Sequence, residues 1–318
     1  MSERISVIGA GPWGATVAWL VGREGRPVRL WSSSEDKRAT LRSTRKPPGT
    51  PIELPECVRI VDTLPEALEA GLVFLAVPPA HFRGALQAAA PHVRPDHRLI
   101  HTVKGLEPGG TPLSEVLASE TAALQVGALV GPVVPHEIWR GDAMSAVVGS
   151  RFQAVAVEAA AALNGPSLRV YGSLDLVGVE VAGAMRTPLG LAAGMVHEAG
   201  LGRATMAFLL TRLLAETRRL VESVGGLPTT CSGLAGIGDW MVTSSDPDAP
   251  VVQAGRRIAR GEGCGYAEAE ARTRTLVELA ERRGVELPIT QAVVAVLDGT
   301  PMETALAGLM SRRMSFES

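Results

Sequence analysis

The sequence predicts an α/β fold: a doubly wound parallel sheet followed by an all-helical domain. Three observations predict it. A strand, a glycine turn and a helix open the chain at Arg4–Trp19, RISVIGAGPWGATVAW. Short apolar runs then alternate with helical stretches as far as Tyr171, as the strands and crossover helices of a parallel sheet do. From Leu174 onward only helical periodicity remains.

The opening stretch carries the first functional signal. Ile5, Val7 and Ile8 form an apolar, partly β-branched run, and Gly9, Gly11 and Gly14 follow at G-x-G-x-x-G spacing. In such a unit the first glycine allows a tight turn. The second lets the backbone approach a pyrophosphate, and the third lets helix and strand pack closely. The helix start offers unpaired N–H groups and a positive dipole end to phosphates. Pro12 at that start loses no needed donor. A glycine turn in any α/β unit is the plainer alternative, in a chain with 35 glycines. The strand-then-helix context favours a dinucleotide.

The remaining elements follow in order. Pro27–Trp31 reads as the second strand. An NAD-specific site calls for an acidic residue at its end. Here Ser32, Ser33 and Ser34 stand there, with Lys37 and Arg38 beyond, which suits a 2′-phosphate. Glu35 and Asp36 leave a ribose contact open, and a polar loop with a helix cap is an equal alternative. Arg42–Pro55 reads as a loop, Val58–Val61 as a strand, and Leu72–Val77 as a central parallel strand. Pro78 and Pro79 end it and start a helix through Ala90. Leu99–Thr102 leads into Lys104 and Gly105, and Val126–Val130 into Gly131, Val133, Pro135 and Glu137. Strands at Ala143–Val148 and Leu168–Tyr171 flank a helix at Phe152–Leu163. The predicted domains are residues 1–173, dinucleotide-binding, and 174–318, all-α and substrate-binding. In the second, Val177–Gly200 is a long small-residue run, and Arg203–Val224 is amphipathic. Cys231–Trp240 reads as a glycine-rich turn ending in Asp239. Helices are expected at Ala254–Arg260, Arg272–Gly284 and Ala292–Leu297, the last opened by Pro288.

Composition narrows the classes. Hydrophobic residues make up 46% of 318, so two cores are affordable, and a net charge of −2 without a basic tract speaks against nucleic acid. The three cysteines show no metal-ligand spacing and read as reduced thiols. The chain opens directly on a strand, and its apolar runs at Leu72–Pro79 and Leu124–Val134 are too short to span a bilayer. The expectation is a cytoplasmic protein with a small-molecule substrate and no membrane or nucleic-acid partner. The small-residue helices also fit a homodimer.

Taken together, several segments resemble the bacterial glycerol-3-phosphate dehydrogenases that use NAD or NADP. They are GAGPWGATVA at Gly9–Ala18, TVKGLE at Thr102–Glu107, Gly131–Glu137 as GP-x4-E, GVEVAGAM at Gly178–Met185, AGIGDW at Ala235–Trp240 and GVELPIT at Gly284–Thr290. The resemblance covers most of the chain. It implies an N-terminal Rossmann domain and a C-terminal all-helical domain. It matches Gly9, Gly11, Trp13 and Gly14 to the cofactor loop; Pro12, Ser32, Ser33 and Pro135 are expected as further cofactor contacts. It gives Lys104 contact with both cofactor and substrate, which fits a lysine polarising a carbonyl as hydride arrives. Gly131, Val133, Glu137 and Thr187 become substrate contacts, and Asp239 helps hold the catalytic cation. A solvated strand-end charge at Lys104, a helix-start charge at Glu137 and an N-cap at Asp239 are the plainer alternatives.

Three departures stand against the resemblance. Where the family carries a catalytic lysine in A-x-K-N, this chain has Arg186 and Thr187. Arginine stays protonated, so Arg186 holds an anion or an oxyanion but is a poor general acid–base. The family's S-R-N triplet falls on Ala249, Pro250 and Val251, none able to grip phosphate through its side chain. Arg256 and Arg257 are nearby substitutes, or an exposed helix face. The family's V-E-G-Y-R-N-T stretch has no clear counterpart before Thr275, with Glu268 and Glu270 as stand-ins or helix surface. Two functions remain: an NAD(P)-dependent oxidoreductase acting on dihydroxyacetone phosphate or another small carbonyl compound, and a catalytically inactive dinucleotide-binding sensor or partner. A histidine base is a further alternative, His136 being better placed than His197.

Overall fold

The structure, a computed structural model, describes residues 5–311. Arg4, where the opening stretch begins, lies outside the described residues. Eight strands form one sheet: β1 (Ile5–Ile8), β2 (Val28–Trp31), β3 (Val58–Ile60), β4 (Leu72–Leu75), β5 (Arg98–His101), β6 (Gln125–Val130), β7 (Met144–Ser150) and β8 (Leu168–Ser173). Their order is β3-β2-β1-β4-β5-β6-β7-β8. Seven helices accompany them: α1 (Pro12–Arg23), α2 (Glu35–Thr44), α3 (Leu64–Ala67), α4 (Phe82–Ala89), α5 (Leu113–Glu120), α6 (Pro135–Arg140) and α7 (Gln153–Leu163). Alternate strand residues point to opposite faces. Val7, Phe74 and Ile100 therefore join one core with α1 and α7, and Ile8, Val73, Leu75 and Leu99 join the other with α4 and α5. Both faces are covered, which explains the continuous apolar runs of the central strands.

The sheet is not wholly parallel, as the sequence reading had it: β7 runs antiparallel to β6. The reason is the connection. Its only helix, α6, has six residues and advances about 9 Å. β7 has seven residues and spans about 23 Å. So short a helix cannot return the chain to the start of the sheet, and β7 sets out from the end where β6 stopped. Three further expectations are corrected. The expected loop from Arg42 begins inside α2, whose N-cap Ser34 accepts a hydrogen bond from the Lys37 amide. Short helices α5 and α6 were not foreseen. The Cys231–Trp240 turn is helical.

The chain divides into two compact units, Met1–Gly105 with Pro112–Glu180, and Leu106–Thr111 with Val181–Ser318. Helix α8 (Leu176–Ala184) straddles that division. The second unit contains α9 (Arg186–Glu198), α10 (Arg203–Ser223), α11 (Asp239–Ser245), α12 (Pro250–Ala259), α13 (Ala267–Arg282), α14 (Pro288–Leu297) and α15 (Met302–Met310). The Leu106–Thr111 segment belongs to it because Gly110 lies against Leu279 and the Gly109 carbonyl accepts from Arg282, both on α13. Helices α9 and α12 touch backbone to backbone. A Cβ at Gly194 would come within 2.0 Å of the Val252 carbonyl oxygen, and one at Gly255 within 2.1 Å of that of Leu191. The small-residue run therefore serves a helix–helix contact inside the unit. The stretch Leu176–Glu198 is long and apolar enough to cross a membrane by length and composition, and 89% of an apolar 18-residue window within it is buried in the protein. Glu216 on α10 is also buried. Its carboxylate accepts from the Ile289 amide at 2.5 Å, and at 3.4 Å from the Thr290 amide and hydroxyl, so it caps α14.

Candidate functional site

The first unit presents a glycine turn and a lysine at the carboxyl edge of its sheet. Gly9 has φ +107°, and a Cβ there would meet the Ala76 carbonyl oxygen at 2.4 Å. A Cβ at Gly14 would meet the Gly9 oxygen at 1.9 Å. Both glycines are demanded by the packing of β1, α1 and the end of β4. Gly11 differs: a Cβ there would meet nothing within 4 Å. It is the N-cap of α1, has no side-chain cap, and is followed by exposed Pro12. The turn thus leaves open backbone before a helix N-terminus, the cradle a pyrophosphate needs. Trp13 packs half-buried against the core.

Beyond β2, Ser32 is buried and Ser33 exposed. The Arg38 guanidinium reaches back from α2 and donates to the Ser32 carbonyl at 2.5 Å. It stands beside the place where a cofactor-selecting residue belongs. Glu35 and Asp36 occupy the first turn of α2, where they favour the helix dipole.

Lys104 follows β5 and is half-buried, with Nζ donating to the Gly131 carbonyl at 2.7 Å. Gly131 has φ +142°, and a Cβ there would press on the Ala146 backbone at 2.8 Å. It is glycine because β7 passes so closely. Its carbonyl also accepts from the Val133 amide. Val133 packs on the core, Pro135 opens α6, and Glu137 lies half-buried in that helix's first turn. At the end of β5 lies a buried polar network that sequence reasoning missed. His101 Nε2 is 3.0 Å from Glu180 Oε1, which also accepts from the Ser114 amide at 2.9 Å, while the Ser114 hydroxyl binds Glu180 Oε2 at 2.5 Å. The network ties the end of β5 to α5 and α8. Its partners are far apart in the chain, and no local pattern signals them.

The second unit presents a guanidinium over a buried carboxylate. The helix breaks at Met185, so Arg186 starts α9 and Thr187 is buried behind it. Arg186 Nε donates to Thr243 Oγ1 at 2.6 Å and stands 3.9 Å from Asp239 Oδ2. Thr243 Oγ1 in turn donates to the Asp239 carbonyl one helical turn back on α11. A π-helical turn, Leu234–Gly238, feeds α11, and a Cβ at Gly236 would strike the Cys231 carbonyl oxygen at 2.0 Å. Asp239 is the first residue of α11, and the N-cap position itself is held by Gly238. Asp239 is 2% exposed. Thr243 was missed, although Asp-x-x-x-Thr puts both residues on one helix face. Ala249, Pro250 and Val251 start α12, where Val251 fills the space over Gly190. Apolar packing has taken this position. The Arg256 amide packs at Gly194, eight residues and about 12 Å along α9 from Arg186. His136 is exposed on α6, and His197 is engaged with the Ser244 carbonyl at 3.1 Å.

A family model described as the NAD-dependent glycerol-3-phosphate dehydrogenase N-terminus matches residues 4–156, and the corresponding C-terminus model matches residues 175–307. The chain belongs to the NAD-dependent glycerol-3-phosphate dehydrogenase family. A relative in Bradyrhizobium sp., named glycerol-3-phosphate dehydrogenase [NAD(P)+], is 36% identical over 99% of this chain and 98% of its own. One in Corynebacterium glutamicum with the same name is 36% identical over 96% of this chain and 97% of its own. The solved glycerol-3-phosphate dehydrogenase from Coxiella burnetii superposes with a TM-score of 0.88 at 28% identity, covering 97% of this chain and 98% of that one. This member of the glycerol-3-phosphate dehydrogenase family is an NAD(P)-dependent oxidoreductase acting on CH–OH groups, and the comparisons do not favour a non-catalytic dinucleotide binder. The open turn at Gly11 and the closed packing at Gly9 and Gly14 fit such a cofactor.

Proposed function

We propose that the protein interconverts a small anionic ketone and its secondary alcohol, using NADP in preference to NAD. Dihydroxyacetone phosphate and sn-glycerol 3-phosphate are the reference pair, and the relatives are named glycerol-3-phosphate dehydrogenase [NAD(P)+]. In this reading residues 1–173 hold the cofactor and 174–318 the substrate. Gly9, Gly11, Pro12, Trp13, Gly14, Ser32, Ser33, Lys104 and Pro135 make up the cofactor site. Lys104, Gly131, Val133, Glu137, Arg186, Thr187 and Asp239 face the substrate. Arg38 on the Ser32 carbonyl supports the 2′-phosphate.

One observation carries the reading: Arg186, ordered by Thr243, above buried Asp239. The nicotinamide, when bound, supplies the hydride. Arg186 donates hydrogen bonds to the carbonyl oxygen and holds the negative charge that grows there. A guanidinium gives up no proton near neutral pH. A group other than Arg186 must therefore deliver the proton that completes the alcohol. The balance is ketone, NADPH and a proton going to alcohol and NADP+.

The test is cofactor absorbance with NADPH and NADH, against dihydroxyacetone phosphate, small 2-oxo acids and uncharged hydroxyketones. Turnover of an anionic ketone is expected. Lys104→Ala should cut kcat by about 10² or more while cofactor binding is weakened rather than lost. Calorimetry that shows NADPH bound, with no ketone oxidising it, refutes the enzyme. The same reading places the protein in the cytoplasm as a homodimer. A monomer mass in sedimentation removes the latter part.

A further inference from the structure

The chain passes between its two units three times: after Gly105, before Pro112 and after Glu180. A buried residue of the first unit stands at the root of each passage. His101 ends β5 four residues before the first, Ser114 lies two residues beyond Pro112, and Glu180 is the last residue before the third. These three are the members of the buried network. The Glu180 carboxylate takes hydrogen bonds from the Ser114 amide, the Ser114 hydroxyl and His101 Nε2. A carboxylate only accepts, so Nε2 carries the ring proton. His101 Nδ1 makes no hydrogen bond among the described residues, and Glu180 is the ring's one polar partner among them. The His101 and Glu180 side chains are 0% exposed. A carboxylate so buried is costly wherever it lacks a donor. It therefore resists any motion that parts it from one of its three.

The arm that carries Lys104 grows from this root. His101 is the last ladder residue of β5, in register with Leu75 and Ala128. Thr102 then bonds the Leu75 carbonyl through both its amide and its hydroxyl, and Val103 is buried. Lys104 Nζ reaches the Gly131 carbonyl at 2.7 Å. A pull along the second or third passage arrives at Ser114 or Glu180, and the carboxylate sets both against His101, three residues from Lys104. We propose that Glu180 is a positioning residue for the reaction. Acting through His101 and Ser114, it fixes the three roots to one another and keeps Lys104 Nζ on the Gly131 carbonyl. The role in the reaction rests on the ketone-reductase reading; the first test needs no turnover.

Lys104 is one of three lysines, and the other two, Lys37 and Lys46, are exposed. Full-length protein is methylated with formaldehyde and dimethylaminoborane, and each lysine is followed by peptide mass spectrometry. Lys104 should react more slowly than the other two. Glu180→Gln turns an amide donor toward groups that themselves donate. In that variant Lys104 should react about fivefold faster, with Lys37 and Lys46 unchanged. The second test is kcat at saturating NADPH and ketone. Glu180→Gln should lower it about tenfold. In a Lys104→Ala background the same substitution should change kcat by less than about twofold, because the group it positions is gone. An equal loss in both backgrounds marks a merely structural role and overturns the proposal. So does a Glu180→Gln protein whose Lys104 reacts at the wild-type rate. If the wild type turns over no ketone, the reductase reading falls, and methylation still decides whether Glu180 holds Lys104. If Glu180→Gln does not fold, Ser114→Ala, which removes one hydroxyl, takes its place. A wild-type methylation rate at Lys104 in that variant overturns the proposal equally.

Discussion

Glu216 makes the stability of this protein depend on pH in a direction opposite to that of most carboxylates. It is 2% exposed, and burial raises its pKa from 4.5 to about 7 against the opposing pull of the Ile289 and Thr290 amides. The folded protein therefore keeps a proton that the unfolded chain has released. Stability from this group is complete below about pH 4.5 and is lost as pH rises through 7. The shift is worth about 3 kcal/mol in total, of which about 2.5 kcal/mol falls between pH 5 and pH 8. Glu216→Gln mimics the protonated form and removes the titration. Urea unfolding of both proteins at the two pH values isolates the effect, because groups common to both cancel. The wild-type stability minus that of the variant should drop by about 2.5 kcal/mol from pH 5 to pH 8. A difference that stays constant within about 0.5 kcal/mol, or grows with pH, refutes the account of a desolvated carboxylate.

Two further outcomes follow from the glycines. Gly11→Ala should change stability by less than about 1 kcal/mol, because its Cβ meets nothing, yet weaken NADPH binding about tenfold by calorimetry. Gly194→Ala should cost about 3 kcal/mol in urea unfolding, since its Cβ would lie 2.0 Å from the Val252 carbonyl oxygen and 2.8 Å from the Arg256 amide, and must wedge α9 from α12.

The sequence by itself determined the class of the first unit, its glycine turn and the place of Lys104 after a strand. Those features are local. Strand and helix periods show in consecutive residues, and Gly14 answers to the carbonyl of Gly9 five residues before it. It also marked Arg186 as the departure from its family, because a change of residue type needs no coordinates. Tertiary structure decided the rest. The direction of β7 depends on how far α6 reaches. The Arg186–Thr243 hydrogen bond joins residues 57 positions apart, and His101–Glu180 joins residues 79 apart. Pairings of that kind are made by helix packing across long loops, and packing is a property of the whole core rather than of any window of sequence.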